Sequence, residues 1–284
     1  MSRATILTAI VLACTFGTVA ARSATARGSQ ALRTEVTSTA SVAPPAVKLT
    51  AAFTPERLGA GTTVHVGFQI DTSARQAPSA VTAVELLYPR ELGISSSDLG
   101  LETCSPETLE MSGPAGCPTN SVMGSGHAVV EVPFSTNNVL ETARVTLISG
   151  PVQNGHIAVL FWAHGHLPVL ATVVFPSTLL PAEAPFGGAL DTQVPLVPSV
   201  PNGPDVALTQ VQTTLGPEGI TYTERVGSKT IRFHPKGILL PSSCPPGGFP
   251  FAVHLSFQDG ASASAKTAVP CPPSGTSARR RRRR

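Results

Sequence analysis

From residue 47 onward short apolar runs recur, each cut off by proline or glycine. In 62–70, Val64, Val66, Phe68 and Ile70 alternate with His65, Gly67 and Gln69, the period of two expected of a strand with one buried face. Runs at 47–53, 81–88, 127–134, 143–149, 156–163, 168–175, 205–215, 229–234, 249–258 and 262–269 read the same way. Short strands separated by turn signals predict an all-β fold, a β-sandwich of immunoglobulin-like or jelly-roll-like kind with about 10–11 strands.

Two stretches test that reading. Residues 156–175 are apolar enough to suggest a membrane span, for which about 20 residues suffice. Their centre, however, is His164-Gly165-His166-Leu167-Pro168, and ionisable groups at mid-membrane are costly. A hairpin with both strands buried on both faces accounts for the same residues, so no transmembrane span is expected in the mature chain. In 249–269, Asp259-Gly260 lies between two alternating runs and is a strong hairpin turn signal. The proline-rich stretch 176–204 reads as a loop, a long crossover within one sandwich, with a division into two halves there as the alternative.

Composition narrows the class. The chain has 284 residues, 27 of them proline and 25 glycine, and both residues are unfavourable inside helices. A hydrophobic fraction of 42% with a net charge of +3 argues against global disorder. Residues 1–26 read as a secretory signal peptide: Arg3, an apolar core over 4–19, and Ala24-Thr25-Ala26 as the cleavage site. Cleavage after Ala21 is an alternative. Another is lipidation at Cys14, because Val11-Leu12-Ala13-Cys14 resembles a lipobox, which would leave the protein anchored at the cell surface. Residues 27–46 read as a disordered linker, 47–273 as the β-sandwich domain and 274–284 as a disordered basic tail.

Removing the leader leaves Cys104, Cys117, Cys244 and Cys271, an even number in an exported chain, as in a disulfide framework. Pairing Cys104 with Cys117 and Cys244 with Cys271 is expected, since each pair brackets one turn-rich segment. A four-cysteine zinc site would favour closer C-x2-4-C spacing. Without the leader and without Arg279, Arg280, Arg281, Arg282, Arg283 and Arg284, the body has 12 basic against 17 acidic residues. The basic balance is thus a property of the tail, and the body offers no clustered cationic face for nucleic acid. Six adjacent guanidinium groups repel one another and are attracted to anionic cell-envelope polymers or lipid headgroups; a solubilising terminus with no partner is the plainer reading.

Residues 104–126 (CSPETLEMSGPAGCPTNSVMGSG) carry a C…GCPxxSxxGxG skeleton. This segment resembles one found in secreted, β-rich bacterial proteins of no assigned function. The resemblance covers about 23 residues, supports a secreted β-rich chain, and implies no activity.

Candidate chemistry is sparse. His164 and His166 flank Gly165 at the expected turn, and two imidazoles two residues apart can share a strand face and a metal; solvated turn histidines are the alternative. His127 and Glu131 share a face but lie roughly 13 Å apart along a strand. Gly124-Ser125-Gly126-His127 lacks the G-x-S-x-G of a nucleophile elbow, position 123 being Met. Glu107 and Glu110, inside the first cysteine loop, read as solvated carboxylates. Phosphate-loop, dinucleotide, H-E-x-x-H and EF-hand signatures are absent, and no cofactor is expected. The chain therefore reads as a secreted, non-catalytic structural or binding module. Its rival is a secreted metal-dependent or hydrolytic enzyme using His164 and His166.

Overall fold

The computed structural model describes residues 45–71, 78–94, 96–133, 137–166 and 168–272. The leader, Cys14, most of the linker and the arginine tail lie outside the described residues. Fourteen strands are found among the described residues: β1 (Val47–Thr54), β2 (Gly61–Ile70), β3 (Val81–Pro89), β4 (Val122–Pro133), β5 (Asn138–Ser149), β6 (Ala158–His164), β7 (Thr172–Pro181), β8 (Phe186–Gln193), β9 (Ala207–Leu215), β10 (Tyr222–Val226), β11 (Lys229–Phe233), β12 (Ile238–Leu239), β13 (Phe249–Phe257) and β14 (Ser262–Val269). The chain is all-β apart from short helical turns, of which α1 (Pro106–Ser112) is the α-helix.

The main sheet is antiparallel and runs β1-β2-β9-β4-β5-β6-β7-β8-β3-β13-β14, with β12 added to β2. Its two ends return to one another, β1 lying against β14, so the sheet curls into a barrel-like body with two pressed faces. Register shifts at Val122/Gly124, Val129/Val130, Tyr88/Pro89 and Ser256/Phe257 are where an extra residue bends a strand and increases its twist. The shift between β4 and β9 also re-phases the wall, so that both Leu208 and Val211 face the interior. At Gly124 and Gly126 a Cβ would run into the backbone of β9, so glycine allows the two strands to close up where the sheet bends.

One half of the interior is packed solid. Phe249, Phe251, Val253 and Leu255, alternating along β13, are each no more than 1% exposed, and Phe53 of β1 packs edge-on against Phe249 at 5.3 Å. Residues 90–94, 96–121 and 216–248 cover one end of the barrel, where Gly93 bridges Leu239. There the Tyr222 hydroxyl donates to Val122 O at 2.5 Å and accepts from Gly100 N–H at 2.9 Å. Asn120 exchanges two hydrogen bonds with the Thr223 backbone, 2.8 and 2.9 Å.

Both disulfides join the expected partners, Cys104 to Cys117 and Cys244 to Cys271, with Cα atoms 5.4 and 5.9 Å apart. The second closes the open end of the β13–β14 hairpin, which turns at Asp259-Gly260 as expected. The first holds α1 over the outer face of β5, β6 and β7, where Leu109 packs with Ile148 and Leu160. Ser105 caps that helix by accepting from Thr108 N–H at 3.2 Å, and Gly113 ends it at φ +63°.

Two expectations need correction. Residues 176–204 are not a plain loop, since β7 continues to Pro181 and β8 occupies Phe186–Gln193. Pairing between β7 and β8 begins at Ser177, which leaves Pro176 where β7 is locally an edge and proline is tolerated. β8 pairs with β3, and β9 with β2 and β4, so the strands flanking this stretch belong to one sheet. The hairpin of 156–175 is present as β6–β7, but its inner faces meet open space rather than packed core.

Candidate ligand cavity

That open space is the main candidate site. Strands β3 to β9 turn apolar side chains inward at alternate positions, yet Phe161, Phe175, Leu190 and Val211 are only half-buried although they point to the interior. They line a cavity of about 270 Å³. Phe161 and Phe175, opposite each other on β6 and β7, stack at 5.4 Å along its wall. The cavity runs from Leu92, Ile94 and Leu147 at the covered end to Val169, Leu196 and Val197 at the other. Leu196, at that end, both lines it and is 41% exposed on the surface.

The few polar groups in the wall fall into two kinds. Thr192 pairs with Ser177 through their hydroxyls, and Thr213 Oγ1 donates to Val66 O at 3.2 Å, so each is satisfied within the wall. Tyr88 also lines the cavity, and burial pushes its phenol above the usual tyrosine value. Glu141 differs from all of these. It is 5% exposed, and it is the only acidic or basic side chain among the described lining residues. Its Oε2 accepts from Val169 N–H at 3.1 Å, while its Oε1 is buried with no hydrogen-bond partner. A Cβ on Gly165 would run into that Oε1, so glycine at this turn leaves the carboxyl group its room.

No family model, curated protein or solved structure matches the chain.

The residues singled out from the sequence lie elsewhere. His164 shares a parity with Trp162, opposite to the cavity-lining Phe161 and Ala163, and therefore faces outward. Its ring stacks on Trp162 at 5.2 Å, meets His166 edge-on at 4.7 Å, and bonds Thr172 Oγ1 through Nδ1 at 2.8 Å. The two imidazoles do come together, but among the described residues no group of three His, Cys, Asp or Glu side chains gathers. His127 and Glu131 stay apart: His127 borders a polar depression on the outside of β2, β9 and β4, and Glu131 accepts from Asn138 Nδ2 at 2.6 Å. Glu107 is exposed on α1, its carboxyl held below the usual range by its own backbone N–H and then by the Ser105 hydroxyl.

The sequence reading passed over Glu141. Its signal was present in the parity of β5, where Glu141 shares a face with Ala143, Val145 and Leu147. A lone acidic residue on the apolar face of a strand is the uncommon case.

Proposed function

We propose that this chain is an exported, non-catalytic binding module that carries a lipophilic small molecule inside its barrel. The observation that carries the reading is the apolar cavity of about 270 Å³. Protein interiors normally close to the density of organic crystals, and an apolar void of about 150 Å³ is already large enough to stay dry and take up benzene. Few polar groups converge on the walls, as in sites that bind by shape and burial. Two disulfides suit an oxidising compartment, in line with the leader read over residues 1–26. The arginine tail would keep such a carrier near anionic envelope polymers or lipid.

The test is uptake of a neutral naphthalene dye whose emission rises in apolar surroundings. Wild-type protein is expected to bind the dye saturably, with one site per chain. Ala163→Phe, which fills the cavity, should weaken uptake at least tenfold while leaving the melting temperature nearly unchanged. Overpacking a filled core would instead cost about 1–3 kcal/mol. Absence of uptake by the wild type, or equal uptake by the filled variant, would refute the reading.

A further inference from the structure

We propose that the Tyr88 hydroxyl is the polar recognition point of this cavity and that the ligand is a neutral lipophile carrying a hydrogen-bond acceptor, in its simplest form a ketone. The proposal rests on the binding reading above and specifies the chemistry of the molecule bound. Among the described lining residues, Tyr88, Glu141, Thr192 and Thr213 bear polar side chains. Thr192 and Ser177 bond each other through their hydroxyls, and Thr213 donates to Val66 O. Glu141 commits Oε2 to Val169 N–H, and its Oε1 is sealed in. Tyr88 is the exception. Its hydroxyl has no hydrogen-bond partner among the described residues, yet it is not closed off from water as the unpaired Glu141 Oε1 and Trp162 Nε1 are.

Strand pairing fixes where that hydroxyl lies. β3 turns Val84, Leu86 and Tyr88 to the cavity at alternate positions, just before Leu92 and Ile94 at the covered end. Tyr88 stands opposite Gly188 of β8, which shares its parity with the lining residues Leu190 and Thr192 and is itself buried. A Cβ on Gly188 would run into the Tyr88 hydroxyl, so the hydroxyl lies over the inner surface of β8, in room that glycine leaves. Burial pushes the phenol above its usual value, and the group therefore meets a ligand as a neutral O–H donor. A ketone oxygen accepts that hydrogen bond and brings no charge to be stripped of water against walls of valine, leucine and phenylalanine. A hydrocarbon of the same shape leaves the hydroxyl unpaired, and a site that offers a hydrogen bond discriminates against the analogue that cannot make it.

The experiment uses the full chain and measures displacement of the neutral dye by methyl naphthyl ketone and by ethylnaphthalene, which match in shape and differ in the carbonyl oxygen. Tyr88→Phe should weaken the ketone about fivefold, the worth of one neutral hydrogen bond, and leave ethylnaphthalene unchanged. The melting temperature should stay nearly the same, because the hydroxyl serves no partner within the described protein. In the wild type the carbonyl-carbon NMR resonance of the bound ketone should lie downfield of its position in a hydrocarbon solvent, a readout that needs no variant and serves if Tyr88→Phe fails to fold. Failure of the ketone to displace bound dye, an equal loss for both compounds, no loss for the ketone in a folded Tyr88→Phe, or a resonance at its hydrocarbon-solvent position overturns the recognition point while leaving the cavity reading standing. If the dye itself does not bind, it is the cavity reading that fails.

Discussion

Two buried side chains at opposite ends of the barrel use their polar atoms in opposite ways. Tyr222 spends its hydroxyl fully, donating to Val122 O and accepting from Gly100 N–H, whereas Glu141 has one oxygen buried without a hydrogen-bond partner. Tyr222→Phe would orphan both backbone groups and is expected to cost about 1–3 kcal/mol. The readout is the urea midpoint at constant m; a loss below about 0.5 kcal/mol would mean that water replaces the phenol. Burial also lifts the Tyr222 phenol above its ordinary 10.0. A raised folded-state value makes its contribution complete below about pH 10 and lost as pH climbs toward that raised value, because the unfolded phenol ionises first. Tyr222→Phe should therefore show a shallower alkaline loss of stability than the wild type.

At the scale of elements, the strands that alternated cleanly were legible and those interrupted by special residues were not. β2, β13 and β14 fell where the period of two put them. β8, with Gly187 and Gly188 near its start and prolines on either side, was hidden among turn signals. α1 was missed although Ser105, Pro106, Glu107 and Gly113 form a full set of helix start and stop signals, because seven residues hold too few periods to stand out. The first disulfide joins the two ends of the segment that carries that helix. Replacing both Cys104 and Cys117 with serine is expected to cost roughly 3 kcal/mol in the chain-entropy account. It should also expose the buried Leu109, seen as faster amide exchange confined to α1 and the outer face of β6. Unchanged exchange there would mean that side-chain packing alone seats the helix.

For the molecule as a whole, ligand and location are separate questions. The barrel would select what is bound, while Arg279 to Arg284 would select where the protein resides. Near an anionic surface each arginine is worth about 1 kcal/mol, and salt screens the attraction strongly. Deleting the six arginines should release the protein from anionic vesicles at low salt and leave dye uptake unchanged. Equal retention of the truncated form would make the tail incidental.

The sequence alone determined the all-β class, the hairpins at 156–175 and 249–269, and both disulfide partners, because strand period, turn residues and cysteine spacing are local properties. In β2 it also determined which side of the strand is apolar, that of Val64, Val66, Phe68 and Ile70. Only the tertiary structure decided strand order, with β9 inserted between β2 and β4 and β8 beside β3. It alone decided that the apolar faces of β13 and β1 meet while those of β5 to β8 stand apart around a cavity. Alternation says which way a side chain points, not how far away its neighbour across the barrel lies. That distance is set by curvature, bulges and closure, and it separates a packed core from an open cavity.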